Sequence, residues 1–292
     1  MAHNAHMSAL RRADRRRNAL FVLPMTIFAV VLVALLAVVL WAGGWVFALV
    51  ACVCVGVAIH EMHDALRVGG HHPVSWVAYA GLVCSIPLMM FYSAQAMIPV
   101  LAVLCFCVLF QVMRRKQPEL TDVLVSVMPL MSIVFPAMCL LGLLDTQPRS
   151  LQLMFLLQVF GIAVGGDTLA YFVGSSVGGP KLCPRVSPNK TISGSVGGLF
   201  GSVLVAFVVG RIFAAAVPDM AVKAPIWGDL LIGLIGGAAG QMGDLFASLV
   251  KRHCKVKDYG TIFPGHGGMM DRLDSIFFVA IIVYCYRVIL LA

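Results

Sequence analysis

Residues 121–143 read TDVLVSVMPLMSIVFPAMCLLGL, twenty-three positions in which Asp122 is the one charge. About 20 predominantly apolar residues carry a helix across roughly 30 Å of hydrocarbon, so this stretch is read as a membrane span. The same test applied outward gives nine segments, at residues 19–41, 43–60, 76–93, 95–113, 121–143, 150–174, 194–216, 226–250 and 273–291. The expected fold is an all-α, polytopic integral membrane protein of about nine transmembrane helices. Segment 43–60 is short and follows the first across Gly43 and Gly44 only, which admits a tight helical hairpin or a pair with one tilted or re-entrant member. The basic opening precedes an apolar run longer than a secretory h-region, so 19–41 is read as a retained span.

Over 292 residues the chain is 61% hydrophobic and 12% charged, with a mean hydropathy of +0.96. Soluble domains average about 45–50% apolar and about 25% charged; this chain lacks the polar groups to cover a water-facing surface. Disorder, collagen and a small disulfide-stapled scaffold are excluded on the same grounds. The nine cysteines form no CxxC pair, and those in apolar runs (Cys52, Cys54, Cys105, Cys107) are read as small buried hydrophobes.

The formal charge is +8, from 21 Lys and Arg against 13 Asp and Glu. When the cluster Arg11, Arg12, Arg15, Arg16 and Arg17 is placed in the cytoplasm and the spans alternate, only Arg149, Arg211, Lys223 and Arg287 fall at the outer side, leaving 17 basic residues inside. That asymmetry predicts a cytoplasmic N-terminus and an outside C-terminus. It also gives most of the net charge a topological cause, with no nucleic-acid partner. The chain divides into a basic cytoplasmic tail (1–18), N-terminal transmembrane helices (19–143), and a C-terminal transmembrane core (144–292) whose cytoplasmic-side loops carry the catalytic groups.

Two loops on that side concentrate polar residues: 165–198, GGDTLAYFVGSSVGGPKLCPRVSPNKTISGSVGG, and 241–275, QMGDLFASLVKRHCKVKDYGTIFPGHGGMMDRLDS. An ionisable group within a span costs about 2.5–3.5 kcal/mol, so Asp167, Asp244 and Asp271 at inner helix ends call for a reason. Asp244, Ser248, Lys251 and Arg252 share one face of the last two helical turns before the cytoplasm. They are read either as a wet helix end with an internal ion pair, or as a carboxylate for a metal beside a hydroxyl and cations for an anion. Asp271 and Asp274 lie one turn apart where a helix starts, a position that favours acids in any case.

Between these carboxylates lies Pro264-Gly265-His266-Gly267-Gly268, a loop whose backbone N–H groups can close around phosphate oxygens. Lys251, Arg252, Lys255, Lys257 and Arg272 flank it together with Asp258, and the earlier loop adds Lys181, Arg185, Ser187, Lys190 and Thr191. Carboxylates for a divalent cation, phosphate-cradling glycines and many cations describe chemistry on a polyphosphate. At the membrane interface such a site meets a soluble nucleotide and a lipid headgroup together. Neither GxxxxGK[ST] nor a kinase pattern is present. The run His60, Glu61, His63, Asp64 is HExH instead of HExxH and has no partner cluster, so it is not read as a metal site; His71-His72 is read as a wet loop.

From Ser248 through Asp274 the chain reads SLVKRHCKVKDYGTIFPGHGGMMDRLD. This resembles the C-terminal motif of the phosphatidate cytidylyltransferase (CDP-diacylglycerol synthase) family: Ser, Lys-Arg, Lys-Asp, Pro-Gly-His-Gly-Gly, Asp-Arg-x-Asp. Gly243-Asp244 fits as well, as do Asp167, Ala170-Tyr171, Gly174, Lys181, Pro184, Ser187-Pro188, Lys190-Thr191 and Gly194. The resemblance covers about residues 165 to 275; the earlier spans agree only in being hydrophobic. It departs at Gly166, where the family has Asn, at Ser193, where it has an acidic residue, and at Ser175-Ser176, a reduced form of a basic stretch.

The resemblance implies transfer of a cytidylyl group from CTP to phosphatidic acid with Mg²⁺, in a homodimer surrounded by lipids of a bacterial inner membrane, with the active site facing the cytoplasm. It implies Asp244 and Asp271 as metal ligands, with Asp167 and Asp274 as candidates for a second cation or for support of the first. Lys251, Arg252, Lys257 and Arg272 would bind phosphates, with Ser187, Lys190 and Thr191 from the first loop. Ser248, Gly265, Gly267 and Gly268 would contact substrate, and Asp258 and His266 join the catalytic group, His266 orienting the loop or binding phosphate instead of acting as a base. A transporter or flippase would show repeats and polar groups near mid-membrane, and a lipid phosphotransferase consuming a CDP-lipid would carry a carboxylate-rich helix motif; here the polar groups sit at inner helix ends.

Overall fold

The computed structural model describes residues 31, 33–91, 97–217, 225–263 and 267–291; the tail 1–18, most of span 19–41, and Gly265 and His266 lie outside the described residues. Helices α1 (Val33–Ala42), α2 (Gly44–Val68), α3 (Ser75–Phe91), α4 (Met97–Met113), α5 (Leu120–Asp145) and α6 (Arg149–Val177) are followed by strands β1 (Lys181–Cys183) and β2 (Ser187–Thr191). Three further helices complete the order: α7 (Ile192–Ala216), α8 (Ile226–His253) and α9 (Met270–Leu291). Six of these, α2 and α5 to α9, are long and apolar enough to cross a membrane, and α1, α3 and α4 are shorter apolar helices. The chain is thus an all-α integral membrane protein.

Several elements differ from the sequence expectation. The second segment is not short: α2 runs 25 residues to Val68, because Glu61 and His63 are buried and bonded within the protein. Residues 165–177 are the last turns of α6, which ends at Gly178 with φ 66°, a positive-φ conformation that glycine adopts without a Cβ clash. After it comes an antiparallel β-hairpin pairing Lys181 with Thr191 and Cys183 with Ser187. Helix α5 contains a π-turn at Leu130–Val134, bracketed by Pro129 and Pro136, residues that cannot donate to a regular ladder.

Residues 1–47 and 48–292 form separate compact units. In the second, Ile59, Met62 and Leu66 of α2 pack with Leu130, Ile133, Val134 and Met138 of α5 and Phe277 of α9. Around α7 the packing principle changes from large side chains to none. A Cβ on Gly165 would lie 2.6 Å from Val205 Cγ2, and one on Gly201 would lie 2.6 Å from the carbonyl oxygen of Gly165. Helices in lipid gain most from close backbone approach at small residues, and this contact holds α6 against α7. Gly166 leaves space filled by the hydroxyl of Ser202, 2.5 Å from its hypothetical Cβ, which donates to the Ile162 carbonyl at 3.0 Å.

The Gly201 neighbour is backbone and cannot turn aside, so Gly201→Ala is expected to destabilise the protein by about 1–3 kcal/mol. The thermal unfolding midpoint in detergent measures this; an unchanged midpoint contradicts the packing argument. At the far end of the same helices, Arg211 of α7 holds the fully buried Asp229 of α8 at 2.6 Å, and Arg287 donates to Thr146 at 3.2 Å. Two of the arginines counted as outer charges thus serve as clasps between helices.

Candidate active site

Three elements bring the acidic residues of the two polar regions together. Asp167 near the end of α6 accepts a hydrogen bond from Ser275 Oγ at 3.2 Å. Asp274, in the second turn of α9 and 7% exposed, accepts the backbone N–H of Ser275 at 2.7 Å. Asp244 on α8 is paired with Lys190 of β2, and Ser248, one turn on, donates to it at 3.4 Å. Asp167, Asp244 and Asp274 are near enough to repel one another, with Lys190, Lys251 and Arg272 as the surrounding cations.

Two cavities meet at Asp167. The larger, about 600 Å³, lies between the hairpin, α6, α7 and α8; Asp167, Tyr171, Lys181, Lys190, Thr191 and Asp244 line it, together with Gln241. Its size falls within the usual range for a small-molecule site, about 300–1,000 Å³. The smaller, about 260 Å³, is lined by Asp167, Thr168, Asp271, Arg272, Asp274 and Ser275. Asp271 therefore reaches the same region from the first turn of α9.

The donor set fits a hard divalent cation: carboxylate oxygens and hydroxyls border both cavities. Among the described residues no three His, Cys, Asp or Glu side chains are arranged to hold an ion unaided. For Mg²⁺ that is the ordinary situation, since it takes one or two carboxylates and completes its octahedron with water and substrate phosphate oxygens.

Asp271 also organises the polypeptide around it. Its Oδ1 meets Lys251 Nζ at 2.7 Å, and its Oδ2 accepts the backbone N–H groups of Tyr259 and Gly268, each at 2.9 Å. Lys251 lies 5.5 Å over the Tyr259 ring, and the Tyr259 hydroxyl donates to the Ala247 carbonyl at 3.0 Å. Burial pushes that phenol well above its ordinary range, so it remains a neutral donor. Gly267, with φ 83°, and Gly268 are glycines because protein carboxylates occupy the space of a side chain: a Cβ would lie 2.8 Å from Asp271 Oδ2 at Gly267 and 2.4 Å from Glu61 Oε2 at Gly268. The sequence suggested a loop whose glycines face phosphate; in the structure these two face Asp271 and Glu61.

Glu61 was outside the expected site. Its two oxygens accept the backbone N–H groups of Met269 and Met270 at 3.0 and 2.8 Å, capping α9 from a helix 208 residues earlier. The first N–H groups of a helix have no internal partner, and a carboxylate there also opposes the positive end of the dipole. The available signal was a glutamate directly after the apolar segment 43–60; the His60 to Asp64 run is not a metal-ligand pattern, and nothing in its spacing connects Glu61 with the later loop. His63 donates its Nδ1–H to the Ile59 carbonyl of its own helix at 2.7 Å, and His60 faces Asp64 at 3.3 Å.

The remaining expected residues are placed as follows. Thr191 caps α7, accepting the N–H of Gly194 at 3.1 Å, while it also borders the larger cavity. Ser187 opens β2 opposite Cys183. Arg252 donates to the Val186 carbonyl at 3.3 Å, tying the hairpin to α8. Lys257 and Asp258 are exposed after the end of α8, and Arg272 is exposed in the first turn of α9. Gln241, absent from the sequence expectation, donates to the Ser195 carbonyl at 2.9 Å and accepts from its hydroxyl, closing the wall between α7 and α8. The Nε2 atoms of His71 and His253 meet at 2.8 Å, joining the α2–α3 loop to the end of α8.

The sequence profile of the Cytidylyltransferase family matches residues 25–290. A protein named phosphatidate cytidylyltransferase from Staphylococcus aureus (strain COL) is 32% identical over 263 residues, covering 87% of this chain and 94% of its own length. Its namesake from Bacillus subtilis (strain 168) is 43% identical over 118 residues, 40% of this chain and 41% of that one. One from Brucella abortus biovar 1 (strain 9-941) is 40% identical over 131 residues, 45% of this chain; there the match spans about half of the relative, 46%.

Proposed function

Since the chain belongs to the cytidylyltransferase family, we propose that it transfers a cytidylyl group from CTP to phosphatidic acid, forming CDP-diacylglycerol and pyrophosphate. One observation carries this reading: Asp167 stands between a nucleotide-sized cavity that holds Asp244 and Lys190, and a smaller cavity that holds Asp271, Arg272 and Asp274. Two phosphate-bearing substrates and a cation need that combination of charges in one place.

In the reaction, a phosphate oxygen of the lipid bonds to the α-phosphorus of CTP. The bond from that phosphorus to the bridging oxygen breaks, and its electron pair leaves with pyrophosphate. A phosphate monoester has its second pKa at about 6, so the nucleophile is largely ionised without a strong base. Asp244 and Asp271 would hold Mg²⁺, with Asp167 and Asp274 available to a second cation; the metal, when bound, neutralises charge on the phosphates. Lys190 and Lys251, seated on Asp244 and Asp271, are positioned to follow charge onto phosphate oxygens, and Arg252, Lys257 and Arg272 add cations at the rim. Preorganised cations and orientation of two bound reactants supply the rate enhancement.

The reading includes nine spans with the N-terminus in the cytoplasm and the C-terminus outside, supported by the distribution of basic residues. Residues 19–143 form the supporting half and 144–292 the catalytic core, whose site faces the cytoplasm of a bacterial inner membrane in a homodimer. The test is purified protein with labelled CTP and phosphatidic acid. A lipid-extractable cytidine product that requires Mg²⁺ is the expected result, and no such product favours transport or another lipid reaction.

A further inference from the structure

Helix α4 carries Val103, Phe106, Cys107, Phe110 and Gln111 on one face, and Arg114, the first residue after its end, lines the same groove. That face is uncovered in its apolar part: Val103 is 59% exposed, Phe106 69% and Phe110 65%. With Trp76 of α3 as a side wall it forms a groove of about 650 Å³. Eleven residues of helix extend about 16 Å, a length suited to the upper part of an acyl chain.

The polar groups of this groove gather at one end. Gln111 accepts the Trp76 indole N–H at 2.5 Å, and the Arg114 guanidinium lies 5.6 Å from the centre of the Phe110 ring. Arg115 is committed elsewhere, to Asp122 and to the His72 carbonyl at 2.8 Å, so Arg114 is the cation that lines the groove. In a membrane, an uncovered apolar face meets acyl chains, while tryptophan and arginine at a helix end meet headgroups. A fixed cation at the headgroup end selects among lipids by charge.

We propose that the groove between α3 and α4 binds one anionic phospholipid, with an acyl chain along Val103, Phe106 and Phe110 and its phosphate on Arg114. The site shares no lining residue with the two cavities that meet at Asp167, so it stands or falls independently of the proposed reaction.

Of the chain's four tryptophans, Trp41, Trp45 and Trp227 are replaced by Phe, and Trp76 fluorescence is followed in vesicles of dibrominated phosphatidylglycerol mixed with phosphatidylcholine. Competition with the label exchanged between the two lipids is expected to show a preference for phosphatidylglycerol of about five-fold, the ratio supplied by one cation at an anionic membrane surface. Arg114→Gln should remove it, and Lys116→Gln should leave most of it. Equal quenching by both lipids, or a preference that survives Arg114→Gln, overturns the site. If the three-Phe background does not fold, native mass spectrometry of the chain with its tryptophans intact reads the same quantity. There, about five-fold less phosphatidylglycerol retained by Arg114→Gln supports the site, and equal retention overturns it.

Discussion

Asp244→Asn is expected to lower Mg²⁺-dependent cytidylyl transfer by at least about a hundred-fold, the usual scale for removing one preorganised electrostatic contact to the reacting groups. The substitution keeps the shape of the side chain and removes its charge. Asp244 is 29% exposed in its side chain and is bonded only to Lys190 and Ser248 in the structure described, so folding should be little affected. The comparison with Asp271→Asn separates chemistry from architecture. Asp271 holds two backbone N–H groups and the 13%-exposed Lys251, and leaving that lysine without its partner should add a destabilisation of about 3 kcal/mol. Both variants should therefore lose turnover, but only Asp271→Asn should also lower the unfolding midpoint. Turnover by Asp244→Asn within ten-fold of the parent protein would remove Asp244 from the metal site.

A second large effect is expected at a residue remote from the substrates. Glu61→Gln replaces one of two acceptor oxygens by an NH₂ group, which would face the backbone N–H of Met269 or Met270, donor against donor, in a position 5% exposed. A buried N–H left without a partner costs about 1–3 kcal/mol, and loss of the anionic cap adds about 0.3–1 kcal/mol. The start of α9, with Asp271 in its first turn, would loosen. Turnover should fall at least about ten-fold, consistent with the sensitivity of catalysis to misplacement by 1 Å. Hydrogen exchange at the Met269 and Met270 amides should rise in parallel. Normal turnover together with unchanged exchange would show that the Glu61 contact does not position the loop.

How the residues of the candidate site group locally was legible before the fold was known, and the reason is helical spacing. Asp244, Ser248, Lys251 and Arg252 lie on one helix face whatever surrounds them, because helical spacing depends on the chain alone. Asp271 and Asp274 could be read at a helix start for the same reason. Other features were not legible. Thr191, expected to contact phosphate, caps α7 and also borders the larger cavity; the capping role depends on the position of the next N–H groups, which the sequence does not show. Gly267 and Gly268 looked like room for phosphate, and the structure shows Asp271 and Glu61 in that room. The hairpin Lys181–Thr191 was hidden because its strands of three and five residues are too short for periodicity to register.

By itself the sequence determined the solvent of this protein, its helical class and the types of charge in its candidate site. A helix in hydrocarbon satisfies its backbone polar groups within its own segment, so a helical span can be recognised from its own composition. Only the tertiary structure decided which charges face each other. Lys190 pairs with Asp244 across 54 positions, Asp167 meets Ser275 across 108, and Glu61 holds the start of α9 across 208. Those pairings depend on how α2, α6, α8 and α9 pack, and that is set by glycine contacts and buried side chains which no single segment encodes.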